Sequence, residues 1–344
     1  MTVIGVYITY KQSKGVILMN QELQRRCELF VDNKNVLDKK FVWDNAMIMP
    51  VCAMLHADLN KKVDIERLTE CKTLLKKKVD VFSNFRSYAE LVLVSKMSFS
   101  DNPEGYLEQV IQTYNMIKKC KMSSSVYTVL AAMVVVDNVD DVQRESVIEK
   151  AAVIYAQMKK NHPFLTSTED VSFAILMAMS DMPEEKMMSE MENCYKILKA
   201  KFSSANAVQS LSHILAMSEQ ETVVKCDEVL KLNSRLKEKK KSFDSNAISV
   251  LGGLNMIDTD KEKLVAEIVE VDEFLKTQKG FGFWGIGEKQ RLLFAASLVM
   301  NQYGSGENSA QVTVISSTIT AIIVQYTAML AAVTAATVAS SSSN

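Results

Sequence analysis

Val171 to Phe202, VSFAILMAMSDMPEEKMMSEMENCYKILKAKF, holds the plan of the chain in one unit. Its first part, Val171 to Met179, is short and apolar and mixes large aliphatics with Ala and Ser, a composition that lets a helix be packed from several sides. A break at Asp181-Met182-Pro183 follows, with a proline suited to the first turn of a helix. The second part opens with the acids Glu184 and Glu185 and closes with the bases Lys199 and Lys201, and Tyr195 lies seven positions before the closing Phe202.

That arrangement recurs. Leu75 with Phe82, Leu236 with Phe243 and Phe274 with Phe281 keep the same seven-residue spacing, and Tyr114 and Tyr155 hold the equivalent place before looser endings at Met122 and Phe164. Successive anchors from Leu75 to Phe274 are 39, 41, 40, 41 and 38 residues apart. A period so steady marks stacked supersecondary units, none able to bury its apolar face alone. The short segments Tyr127 to Val136, Ala205 to Met217 and Asn246 to Ile257 read as inner helices. Val147, Ala151, Ile154, Tyr155 and Met158, like Leu264, Ile268, Val271 and Leu275, draw the apolar stripe of amphipathic outer ones. Asn20 to Asn33 reads as a helix, and Val42 to His56, interrupted by Pro50, with Asp64 to Val79 as a degenerate first unit. The fold expected is all-α: about six αα-hairpins of about forty residues in an α-solenoid or a closed α/α ring, finished by a C-terminal apolar helix.

Forty basic and forty-one acidic residues leave a formal charge of −1, which argues against a general nucleic-acid or membrane field. Four prolines and eleven glycines suit a helical protein, and twenty methionines suit irregular core packing. The six cysteines, Cys27, Cys52, Cys71, Cys120, Cys194 and Cys226, stand singly without a CxxC pair, as expected of reduced thiols in a cytoplasm. No signal-peptide pattern opens the sequence.

Three parts follow: an N-terminal segment and capping helix over 1–40, a helical-repeat domain over 41–303, and a linker, charge-free helix and Ser tail over 304–344. Val3, Ile4, Val6, Ile8 and Tyr10 read as a short extended piece. After Asn308 no charge appears; Val312, Ile315, Ile319, Ile322, Tyr326, Met329 and Val333 form one helical stripe, long enough to span a bilayer but diluted by six threonines and without basic flanks. Burial against the repeats is the expectation, as core or as an intramolecular plug, and any membrane contact would run only through 310–339.

Candidates for chemistry are few. Gly280-Phe-Gly-Phe-Trp-Gly285 matches GxGxxG, yet it follows a charged helix rather than a strand and is crowded with aromatics, so it reads as a loop tucked into the last groove rather than a dinucleotide site. Asp137, Asp140 and Asp141 form the one dense carboxylate group outside ordinary helix starts; it could hold magnesium or do acid–base work, but capping is the expectation at such a turn. His56, His162 and His213 lie in different units without metal-ligand spacing, and His213 shares a face with Gln209 and Ser210 that reads as solvated or groove-lining. Outer helices open acidic and close basic, giving one acidic and one basic rim; helix-dipole complementarity explains this, and nucleic acid is not the expected partner. No catalytic residue, cofactor or metal site is designated.

The repeats, the loop Phe283-Trp-Gly285, the apolar helix Gln290 to Val299 and the charge-free Ala/Thr/Ser tail together resemble an uncharacterised bacterial family, the domain of unknown function 4003. The likeness covers the chain from about Gln21 onward. It implies a soluble bacterial protein and carries no assigned activity or site. The function expected is a scaffold binding a protein or peptide in a concave groove; the alternative is an enzyme with a carboxylate-lined central cavity in a closed ring.

Overall fold

The computed structural model describes residues 19–41, 48–282 and 285–304, and among them it is all-helical. The odd-numbered helices are α1 Gln21–Lys40, α3 Ile65–Lys78, α5 Pro103–Lys119, α7 Arg144–Asn161, α9 Glu184–Leu198, α11 Thr222–Glu238 and α13 Lys261–Lys276. The even-numbered are α2 Met49–Asp58, α4 Glu90–Phe99, α6 Val126–Asn138, α8 Asp170–Ala178, α10 Ala205–Ala216, α12 Val250–Asn255 and α14 Glu288–Gly304. The extended reading of Val3 to Tyr10, the segment 310–339 and the aromatics Phe283 and Trp284 lie outside the described residues.

Local chemistry explains where the helices begin. Asn20, Asp64, Ser204 and Asp260 each accept a hydrogen bond from a backbone N–H three residues on, satisfying a donor that the first turn leaves unpaired. Asn102 does the same ahead of Pro103, whose missing N–H costs nothing at the first position. Ser125 and Thr128 form a reciprocal capping box on α6. Pro183 precedes α9 as its cap residue, one position outside the first turn. Pro50 lies in the first turn of α2, the part of the expected Val42 to His56 helix before Ile48 lies outside the described residues, and α1 runs seven residues beyond its expected end at Asn33. Two helices end through lysines in left-handed backbone, Lys121 at φ 61° and Lys240 at φ 58°.

Each odd-numbered helix packs against the apolar helix that follows it, making seven pairs. The odd helices bury one stripe, such as Leu68, Cys71 and Leu75 of α3 or Met187, Met191, Cys194 and Leu198 of α9. The even helices are buried nearly all round; α8 has no residue more than 4% exposed. Neighbouring pairs touch through both layers: α6, α8, α10, α12 and α14 form one series of contacts, and α3, α5, α7, α9, α11 and α13 another. The first pair also meets the last, with α1 against α13 and α14, and α14 against α2. Phe30 of α1 sits at that junction, its ring centroid 5.5 Å from those of both Phe281 and Phe294.

The six closing apolar residues divide. Met122, Phe243 and Phe281 are buried and Phe202 partly so, but Phe82 is 95% and Phe164 99% exposed. The spacing marks the same turn in each unit; whether its aromatic turns inward depends on how deep the turn sits against the next pair.

Candidate functional site

Two strongly perturbed ionisable groups of the even-numbered layer meet between α8 and α10. Asp170 opens α8 and its Oδ2 accepts the Ser167 N–H at 2.8 Å, while Tyr155 donates its hydroxyl to the Ser167 carbonyl at 3.1 Å. Asp170 Oδ1 lies 3.5 Å from Nδ1 of His213 on α10. One turn earlier on each side, Gln209 Nε2 donates to Thr166 Oγ1 at 3.0 Å. The two contacts lie side by side because 209 and 213 are one helical turn apart on α10, while Thr166 lies in the α7–α8 turn just before Asp170. Phe173 meets the His213 ring edge-on at 5.5 Å.

Burial decides the charge state here. Removal from water pushes the Asp170 carboxyl up to about 7 and the His213 imidazole down to about 3, disfavouring the charged form of each. Between those values both are neutral. The neutral carboxyl and the neutral imidazole face each other at 3.5 Å, too far for a good hydrogen bond, so the pair sets an acid beside a base without linking them. Among the described residues His213 Nε2 and Gln209 Oε1 have no hydrogen-bond partner. His213 is therefore sealed in the interior, not solvated or groove-lining: the face it shares with Gln209 turns toward α8.

A second acid, the half-buried Asp58 at the end of α2, is also pushed up to about 7 by desolvation, against a hydrogen bond from Asn301 and the charge of Arg26. Asp58 ends its helix whereas Asp170 begins one, so the two occupy opposite ends of the even-numbered layer. They do not converge on one cavity.

The other sequence candidates have structural roles. Asp137 pairs with Lys96 and accepts the Tyr106 hydroxyl at 2.8 Å, and Asp141 pairs with Arg144 at 2.7 Å. Together with Asp140 they edge a shallow cleft of about 460 Å³, floored by Arg144, whose Nε donates to the Val139 carbonyl. In the glycine-rich loop the N–H groups of Gly285 and Ile286 donate to the carbonyls of Gly282 and Gly280, and Phe281 is fully buried beneath Lys34. Those two amides are therefore spent within the loop, and the turn docks α14 rather than cradling a phosphate. His56 pairs through Nδ1 with the Cys52 carbonyl and packs on Phe99, and His162 donates to Glu192 at 2.8 Å.

Sequence reasoning missed the ion network below that loop. Asp272 accepts from Arg291 Nε at 2.7 Å and from Lys241 Nζ at 2.6 Å, and Arg291 also donates to the Phe281 carbonyl. The one available signal was two charged residues, Asp272 and Arg291, at positions where the apolar stripes of their helices would place a buried side chain; Lys241 lies in the turn after α11. Among the described residues no group of three or more His, Cys, Asp or Glu could hold a metal ion, no cysteine forms a disulfide, and no helix is long and apolar enough to cross a membrane.

An all-helical protein of paired helices, with its interior charges neutral or matched, is the class these observations define. The chain belongs to the family described as "Protein of unknown function (DUF4003)", whose model matches residues 33–328. It is 22% identical over 277 residues to the uncharacterized protein YeaA of Bacillus subtilis (strain 168), covering 77% of this chain and 84% of that one. No solved structure matches.

Proposed function

We propose that the seven pairs close into an α/α ring and that the protein is a cytoplasmic binding scaffold whose seat is the centre of that ring. The observation that carries this is the burial of α8: its neighbours α6, α7 and α10 account for three sides, yet the fourth is covered as well. Seven helices spaced about 8–10 Å apart on a circle put their axes roughly 9–12 Å from its centre. Less the thickness of the helices themselves, that leaves a space about one α-helix wide. The uncharged segment 310–339 has the composition to fill it, and a partner offering an apolar helix or peptide would compete for the same place. Free cysteines throughout the described core support a reducing compartment.

The test is a chain ending at 304 mixed with a synthetic peptide of residues 310–339. The expected result is a folded, soluble truncation that binds a dye for exposed apolar surface and releases it when the peptide is added. A truncation that stays dye-free and ignores the peptide would overturn the reading. The enzyme alternative has Asp170 and His213 in its favour, while Asp58 and Asp170, at opposite ends of their helices, do not form the carboxylate pair it calls for.

A further inference from the structure

The turns that join α3 to α4, α5 to α6, α7 to α8, α9 to α10 and α11 to α12 lie at one end of the molecule, and two series of hydrogen bonds link them. Tyr114 Oη accepts from Asn84 Nδ2 at 2.9 Å and meets Ser124 Oγ at 2.8 Å, bridging the α3–α4 and α5–α6 turns. Asn206 donates to Glu169, Ser204 meets Asn246, and Lys289 donates to the Ser242 carbonyl, carrying the series through to α14. Whether or not the pairs close into a ring, these turns share one end of the molecule.

That end is basic. The odd helices finish in exposed lysines, among them Lys77, Lys119, Lys160, Lys201, Lys239 and Lys240. Acids are fewer there: Asp80, Glu169 and Asp244 on the turns and Asp38, Glu238 and Glu273 at the helix ends. The other end carries the exposed Asp140, Asp141, Glu185, Glu219, Asp258 and Asp260, so a net charge of −1 conceals a strong separation along one axis. Phe82 and Phe164 project from this basic face, nearly fully exposed, each beside a second exposed apolar residue, Val81 and Pro163 respectively. Three equivalent residues in other turns are buried, so outward aromatics are not an unavoidable result of the turn.

We propose that this end docks on an anionic lipid surface, with the lysines against headgroup phosphates and the two phenylalanine tips at the acyl boundary. Lysine is a point charge suited to a fluid layer of phosphates, and it gains from each anionic lipid it approaches. An apolar tip beside a basic cluster is the chemistry of interfacial attachment. A polynucleotide would be better served by arginine forks and stacking platforms. The one arginine in these turns, Arg86, is half-buried and 3.9 Å from Glu90.

The full-length chain is tested by co-sedimentation with vesicles of equimolar phosphatidylcholine and phosphatidylglycerol, against vesicles of phosphatidylcholine alone. Binding to the anionic vesicles alone is expected, falling as salt rises. Phe82→Ser/Phe164→Ser should weaken it by about tenfold or more, since the lost apolar burial is worth at least one decade of affinity. Val142→Ser, an equally exposed apolar residue at the opposite end, should leave it unchanged. Circular dichroism of each variant confirms the fold. Equal binding to neutral vesicles, indifference to the double substitution, no binding at all, or tighter binding to a single-stranded oligonucleotide than to the anionic vesicles would each overturn the proposal.

Discussion

At the residue scale, Asp170 and His213 impose opposite pH dependences that nearly cancel. An unfolded aspartate releases its proton near 3.8, while burial holds that of Asp170 to about 7; raising the pH between those values therefore favours the unfolded chain. An unfolded histidine keeps its proton up to 6.5, while buried His213 loses it at about 3; raising the pH across that range favours the folded chain. Asp170→Asn should thus make stability climb more steeply with pH than in the parent, and His213→Gln should make it fall, each differing by up to about 1.4 kcal/mol per pH unit. Urea unfolding at a series of values from about pH 4 to 7 checks this, and parallel curves would show that the pair does not titrate this way. The glycine-rich loop offers a matched pair of substitutions. A Cβ on Gly285 would lie 2.1 Å from the Gly280 carbonyl oxygen, so Gly285→Ala should cost about 1–3 kcal/mol, whereas Gly282→Ala meets nothing and should be neutral in the same melts. The sequence disclosed the crowding of that loop by aromatics. It did not disclose the Asp170–His213 contact, because 43 residues separate the partners and neither belongs to a local motif.

At the scale of elements, helix starts were legible and helix partnership was not. Asp64, Asn102 and Asp260 cap their helices through atoms three residues away, so the information is local. Which neighbour a helix packs on is set by distant contacts: each amphipathic helix pairs with the apolar helix after it, and α1 becomes the partner of α2. Two groups hold the seam of the molecule. Phe30 joins α1 to the loop and α14 through Phe281 and Phe294, so Phe30→Ala should cost about 3–5 kcal/mol in chemical denaturation. Asp272 neutralises both Arg291 and Lys241 out of contact with water. Asp272→Asn leaves Arg291 buried without its counter-charge and should cost on the order of 3–5 kcal/mol, while Glu149→Gln, on the exposed face of α7, should cost almost nothing.

For the whole molecule, the forty-residue period announced a helical architecture, but curvature is the sum of small angles between pairs and no residue type encodes it. Closure has a measurable consequence. An open stack frays from its terminal pairs, whereas a ring has no terminal pair. Amide hydrogens of α1 and α14 should then exchange as slowly as those of α8, and graded protection falling toward either end would identify an open stack instead. Composition likewise hid the separation of charge, since a sum of −1 records nothing of where forty basic and forty-one acidic residues sit. The two left-handed lysines give that separation a thermal counterpart. Lys121 and Lys240 hold a backbone shape that a side chain makes unfavourable by about 1–2 kcal/mol and that glycine adopts freely. Replacing both with glycine should raise the melting temperature while stripping two positive charges from the basic end. In those two turns heat resistance and electrical directionality pull against each other, and a chain selected only to survive heating would become a less polar molecule.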